Sequence, residues 1–202
     1  MNYNRVVVKV DSALIAPDKI GCNAKYALAI SEFIMTCQRQ GKEIILVSSG
    51  SVAAGRSFID HGSSEVSVTT RRAMAAVGQM KMMANWQRFF DIPCGQILIA
   101  QDDIKDKQRF LNIKNTIEIQ LANGLLPIVN ENDTVANNSA TMGDNDNLAA
   151  LVAQVCEADS LFILSDVDGV FTKDPKINDD AVLIPEIEVI TDETYAMVCV
   201  NK

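Results

Sequence analysis

The stretch 5-RVVVKVDS-12 decides how the rest of the chain is read. A continuous β-branched run of this kind predicts a strand covered on both faces, as in a parallel sheet. The strand delivers Lys9 and, two residues later, Asp11. A lysine at the mouth of a buried strand suits a phosphate, and an aspartate beside it opposes one. Moving outward, 43-EIILVS-48, 95-GQILIA-100, 125-LLPIVN-130 and 160-SLFILS-165 repeat the strand pattern. Between them lie helix-like stretches at 23–40, roughly 69–90, 108–122 and 146–158. Residues 23–40 carry Tyr26, Ile30, Phe33, Ile34 and Cys37 at helical spacing, and Gly41 is a stop signal. Strand and helix in alternation predict an α/β fold, with parallel βαβ units and helices on both sides of one sheet. No internal repeat, linker or low-complexity tract interrupts the pattern, so one domain is expected.

The chain has 202 residues, 48% apolar and 22% charged, enough for a substantial core. No apolar run reaches the length needed to span a bilayer, and the N-terminus lacks the order of segments in a signal peptide. A cytoplasmic protein with no membrane partner is the expectation. The net charge of −8 argues against binding nucleic acid, which needs clustered Lys and Arg. The five cysteines fall at no metal-ligand or redox spacing, and buried free thiols are expected. A single histidine, His61, sits in a polar loop and gives no basis for a histidine-rich metal site or a His-based triad.

In open parallel sheets ligands bind beyond the carboxyl ends of the strands. The polar, small-residue segments do follow strands: Lys9 to Ser12, 48-SSGSVAAGR-56, 130-NENDTV-135 and 165-SDVDGVF-171. The second is either an anion-binding loop opening a helix or an ordinary N-cap by Ser49 or Ser51. It lacks the Gly-Lys-Ser/Thr ending of a Walker A loop. The segment 130-NENDTVANNSATMGDNDNLAALVA-153 is the strongest signal. Capping alone accounts for one acid at a helix start. Asp144, Asn145 and Asp146, with Asp133 upstream, exceed that need and suit a ligand ammonium group, or Mg²⁺ held through water. The run 162-FILSDVDGVF-171 has the Asp-x-Asp-Gly form of haloacid-dehalogenase-type phosphatases, but the further motifs such enzymes need do not follow. An EF-hand spacing is absent as well.

Together these segments resemble the amino acid kinase family. The matching stretches are VVVKV (6–10), SSGSVAAGR (48–56), AAVGQ (75–79), RFLNIKNT (109–116), PIVNENDTVA (127–136), GDNDNLAALVA (143–153) and SDVDGVFTKDP (165–175). They run in family order along nearly the whole chain. NENDTVA with GDNDNL resembles the members that phosphorylate the side-chain carboxylate of L-glutamate, the first step of proline synthesis. The resemblance implies a three-layer αβα sandwich with a mainly parallel sheet, and ATP with Mg²⁺ as cofactors. It implies that Lys9 contacts the transferring phosphoryl group, with Ser12, Ser165 and Asp166 at the nucleotide. It further implies that Ser49, Gly50, Asp133, Asp144 and Asn145 hold glutamate and that Asp146 orients the active-site lysine. Partners expected on the same ground are L-glutamate, ATP, and a second copy of the chain (dimer or tetramer) or a full-length kinase.

Two departures carry expectations of their own. The family pattern after the first strand is Lys-x-Gly-Ser/Thr-Ser, whereas Lys9-Val10-Asp11-Ser12-Ala13 stands here. A like-charge pair at about 4 Å costs on the order of 4 kcal/mol at an effective dielectric near 20, so Asp11 is expected to weaken the phosphate site unless it recruits Mg²⁺. The family also continues, beyond the position of Lys202, with a glycine-rich segment bearing a second lysine and, in many members, an RNA-modification-type domain. The expectation is a kinase domain over 1–202, incomplete at its C-terminal nucleotide-binding end. A weak or inactive glutamate-binding or regulatory paralogue is the alternative.

Overall fold

A computed structural model describes residues 3–62, 66–136, 145–192 and 194. The described chain forms two compact units, one ending at Leu164 and one beginning at Ser165.

In the first unit five parallel strands form one sheet in the order β3-β4-β2-β1-β5. They are β1 (Arg5–Val10), β2 (Glu43–Ser48), β3 (Cys94–Ile99), β4 (Leu126–Glu131) and β5 (Ser160–Leu164). The longer helices are α2 (Ala24–Arg39), α4 (Val68–Gln87), α6 (Lys107–Ala122) and α7 (Asp146–Val155). Three short helices, α1 (Ser12–Ile15), α3 (Ser51–Gly55) and α5 (Gln101–Lys105), follow strands directly and are too brief for periodicity to mark. α7 stops before the expected residue 158, because Glu157 takes a left-handed conformation with φ 51° just beyond the cap at Cys156.

The period of two along each strand sorts its side chains onto two faces. Val6, Val8 and Val10 of β1 join Ile44, Leu46, Leu126 and Ile128 beneath Ile30 and Ile34 of α2 and Met82 and Trp86 of α4. Val7, Ile45, Val47, Ile97, Ile99 and Val129 face Ile117 of α6 and Leu148 and Val152 of α7. Each fully buried Val, Ile or Leu contributes roughly 1.5–3 kcal/mol of burial free energy. This drives the three-layer arrangement and explains why the strands are apolar on both sides.

The same sorting locates the crevice. Chain leaving β1 and β2 runs to the α2/α4 face, and chain leaving β3 and β4 runs to the α6/α7 face. The neighbours β2 and β4 therefore send their connections to opposite sides, which opens a cleft at their carboxyl ends. Their pairing is correspondingly short, with Leu46 opposite Ile128 and Val47 opposite Val129. Ser48, Ser49, Asn130 and Glu131 lie just past it.

The second unit holds an antiparallel bridge between Phe171 and Leu183, flanked by backbone bonds from Thr172 N–H to the Val182 carbonyl (2.9 Å) and from Ile184 N–H to the Val170 carbonyl (2.8 Å). Cys22, Cys37, Cys94 and Cys156 are free thiols, as expected, but only Cys156 is fully buried. Burial pushes the Cys94 and Cys156 thiols up to about 11, so neither is poised as a thiolate. Cys199 lies outside the described residues. Among those residues no helix is long and apolar enough to cross a membrane.

Candidate active site

Lys9 is the penultimate residue of β1. Its alternation with Val7 turns it toward the α7 side, and only 1% of it is exposed. A buried ammonium needs anions, and two are supplied: Nζ pairs with the carboxylates of Asp11 and Asp146. Burial alone would lower the lysine pKa. The hydrogen bonds and charges of Asp11 and Asp146 more than reverse that, and the net shift is upward. Lys9 is therefore a fixed cation. Asp146 opens α7, where a carboxylate also complements the helix dipole. Asp11 precedes α1 but makes no side-chain cap, its carboxylate being drawn to Lys9 instead. Its backbone N–H donates to the Leu164 carbonyl at 3.0 Å. Ser12 begins α1 and is exposed.

The loop after β2 turns on Gly50, whose φ of 109° lies in the region that favours glycine. A Cβ there would stand 2.9 Å from Cγ2 of the buried Ile15, so the missing side chain also lets α1 pack beneath the loop. Ser48 is fixed from the core, since the indole N–H of buried Trp86 donates to its Oγ at 2.8 Å. Ser49 and Ser51 are both buried.

Two buried side chains close on this loop. Asn145, 0% exposed, directs its amide N–H groups to Ser49 Oγ (2.9 Å) and Asn130 Oδ1 (2.8 Å), with the Ser48 carbonyl at 3.4 Å. Its own Oδ1 has no partner among the described residues. Asp133 accepts a hydrogen bond from Ser51 Oγ, and its Oδ1 is likewise buried without a partner. Burial raises the Asp133 pKa, opposed by the Ser51 hydrogen bond and the Arg71 charge. Two buried acceptors whose side chains are bonded to the same loop suit N–H donors, an ammonium group above all.

Six of the residues expected at the site, Lys9, Asp146, Ser49, Gly50, Asp133 and Asn145, thus stand at the carboxyl ends of β1, β2 and β4 or at the start of α7. Asp144 lies outside the described residues. Ser165 and Asp166 belong to the second unit, where Asp166 pairs with Lys176 at 2.8 Å and that hydrogen bond lowers its pKa. Sequence reasoning assigned no role to Gln79, Gln96 or Lys176, and it offered Ser51 only as a helix cap, whereas Gly50 stands at the cap and Ser51 Oγ donates to Asp133. Gln79 was detectable in principle: it shares the buried stripe of α4 with Ala75, Met82 and Trp86. A polar residue on an apolar stripe asks for a buried partner.

Comparison with known proteins bears on the family and the fold. The sequence profile of the "Amino acid kinase family" matches residues 4–198. The chain is 50% identical over 197 residues to glutamate 5-kinase 1 of Pseudoalteromonas translucida and 52% identical over 199 residues to glutamate 5-kinase of Salinibacter ruber. In each case 98% of this chain and 53% of the relative is covered. The chain therefore spans about half the length of the curated relatives it matches. Among solved structures, an isopentenyl phosphate kinase substrate complex superposes with a TM-score of 0.64 at 16% identity, covering 96% of this chain and 84% of that one. UMP kinase from Bacillus anthracis gives 0.58 at 19% identity, covering 90% and 72%. These two share the fold. With the family profile spanning almost all of it, the chain belongs to the amino acid kinase family.

Proposed function

We propose that this chain carries the acceptor-binding half of a glutamate 5-kinase, which transfers the γ-phosphoryl group of ATP to the side-chain carboxylate of L-glutamate. The products are ADP and L-glutamyl 5-phosphate, the activated acid with which proline synthesis begins. The observation that carries the reading is the pair of buried acceptors, Asn145 Oδ1 and Asp133 Oδ1, which have no partner among the described residues and belong to side chains bonded to the loop after β2. They suit the α-ammonium of an amino acid, and the identity to glutamate 5-kinases supports L-glutamate as that amino acid.

The chemistry asks little of a general base. The attacking group is a carboxylate, ionised at neutral pH, so rate comes from positioning and from neutralising phosphoryl charge. Lys9 supplies that charge, Asp146 aims it, and the loop at Gly50 approaches with backbone alone. Ser12, Ser165 and Asp166 are assigned to the nucleotide, and Asp144 to the glutamate pocket, on the family pattern.

Mg²⁺ fits as a companion of ATP. Among the described residues no three His, Cys, Asp or Glu side chains gather as a metal site. Mg²⁺ commonly binds through substrate phosphates with one or two carboxylates, a role open to Asp11. When bound, the ion offsets phosphate charge. Self-association is assigned to α4, where Met80 is 77% exposed. A cytoplasmic location fits this chemistry.

The test is acyl-phosphate formation from ATP, Mg²⁺ and L-glutamate, trapped with hydroxylamine. Hydroxamate that requires both substrates and is lost in Lys9→Met supports the reading. Glutamate binding without hydroxamate would replace it with the regulatory paralogue.

A further inference from the structure

Four side-chain amides run in one hydrogen-bonded line beneath the site. Asn145 Nδ2 donates to Asn130 Oδ1 at 2.8 Å, Asn130 Nδ2 donates to Gln79 Oε1 at 2.9 Å, and Gln79 Nε2 donates to Gln96 Oε1 at 3.0 Å. The line crosses three elements, from the start of α7 through β4 to α4, and ends on β3. Its inner members, Asn145, Asn130 and Gln79, are buried, and Gln96 reaches the exposed edge.

The polarity of this line has a chemical consequence. An amide is a donor at one end and an acceptor at the other, and the two ends have nearly the same shape. Packing therefore cannot decide which way a buried Asn faces, and hydrogen bonds must. Gln79 presents its carbonyl oxygen to Asn130, which commits the Asn130 amide as donor there and leaves Asn130 Oδ1 to accept from Asn145. The Asn145 amide nitrogen is then spent on Asn130 and Ser49, and its oxygen is the end left over. Reversing Gln79 would reverse each amide in turn and present N–H groups where an ammonium must dock. Aligned amide dipoles also polarise one another, which strengthens the terminal acceptor.

We infer that Gln79 is a positioning residue for amine recognition: acting through Asn130, it holds the Asn145 amide with its carbonyl oxygen available to the substrate ammonium. Gln79 touches no reacting atom, and the inference rests on the proposed glutamate site.

The test compares the unchanged chain with Gln79→Met, which keeps the shape and removes the acceptor, and with Gln79→Glu, which keeps an acceptor for Asn130. Calorimetry measures L-glutamate and glutarate, the same diacid without the amine, and side-chain amide exchange of Asn145 is followed by ¹⁵N NMR. In Gln79→Met, preference for glutamate over glutarate is expected to fall about tenfold, the scale of one charge-assisted hydrogen bond. Glutarate and ATP affinities hold, and Asn145 amide exchange quickens. Gln79→Glu is expected to retain the preference. Equal loss of glutamate and glutarate would reduce Gln79 to a packing residue, and an unaltered preference with unaltered exchange would overturn the inference. If the unchanged chain binds no glutamate, the kinase reading falls. Asn145 exchange then decides the relay alone: unaltered exchange in Gln79→Met overturns it, and faster exchange in Gln79→Met but not in Gln79→Glu upholds it.

Discussion

Lys9 and Asp11, two residues apart at the end of β1, close an ion pair in which the lysine side chain is 2% exposed and the aspartate 29%. The cation assigned to the phosphoryl group is thus already held by a neighbour of opposite charge. Asp146 completes the arrangement, so the ammonium sits between two carboxylates before any nucleotide arrives. A phosphate brought to Lys9 would meet Asp11 as a competitor as well as a like charge.

Removing that competitor should tighten ATP. The unscreened repulsion is on the order of 4 kcal/mol for a charge pair at about 4 Å and an effective dielectric near 20. Lys9 and Mg²⁺ offset most of it, leaving about tenfold in affinity. Asp11→Asn should lower KM for ATP by that factor and leave KM for glutamate in place. A higher KM for ATP in this variant would show that Asp11 serves the nucleotide, with Mg²⁺ as the obvious link.

Lys9→Met should reduce turnover by about a hundredfold or more, by deleting the charge that meets the phosphoryl group. It also leaves Asp11 and Asp146 facing each other without their shared cation. A stability loss of roughly 2 kcal/mol is expected, below the figure for fully buried pairs because Asp146 is half exposed. Adding Asp146→Asn should recover part of that stability and none of the activity. Additive stability changes in urea melts would mean that Lys9 and Asp146 are uncoupled.

A different dependence links Gly78 to the loop. A Cβ on Gly78 would stand 1.7 Å from the Ser51 carbonyl oxygen, and one on Gly55 would stand 1.9 Å from that of Met74. α3 and α4 therefore cross backbone to backbone, and there is no flexible side chain to give way. Gly78→Ala should cost about 3 kcal/mol or more, the upper range for overpacking. Because Ser51 holds Asp133, glutamate KM should rise in whatever fraction folds. A thermal midpoint within a degree or two of the parent would show that the crossing yields easily.

The fold was legible because its strands are uninterrupted runs such as 6-VVVKV-10 and 44-IILVS-48, and its long helices keep one apolar stripe. The candidate site was legible where carboxylates outnumber capping needs, at Asp133 and Asp146. Two features were hidden. Asp11 reads in sequence as a charge that repels phosphate, and only the fold shows its carboxylate on Lys9, since strand alternation alone does not place a loop side chain. The amide line through Gln79 joins residues 96, 79, 130 and 145, whose proximity is created by strand order β3-β4-β2 and by the α4 crossing. No local pattern encodes such a contact.

Asp133 should give the protein a pH signature. Burial raises its pKa, so the folded state holds that proton more tightly than the unfolded chain. Between the unfolded value, about 3.9, and the higher folded value, the folded state binds more protons. The slope of stability with pH is then negative, and the contribution of Asp133 declines as pH rises through that window. Above it, the ionised carboxylate is a standing cost that the substrate ammonium relieves. Asp133→Asn can keep the bond from Ser51 and removes the charge. Its urea midpoint, compared with that of the parent, should match near pH 4 and exceed it increasingly toward pH 7. Glutamate affinity should move the other way, with binding in the parent strengthening across the same window and the variant weaker by about tenfold or more at neutral pH. A stability difference that stays flat from pH 4 to 8 would mean that folding leaves the Asp133 pKa where the unfolded chain has it, and the pH dependence of glutamate binding would then have to come from another group.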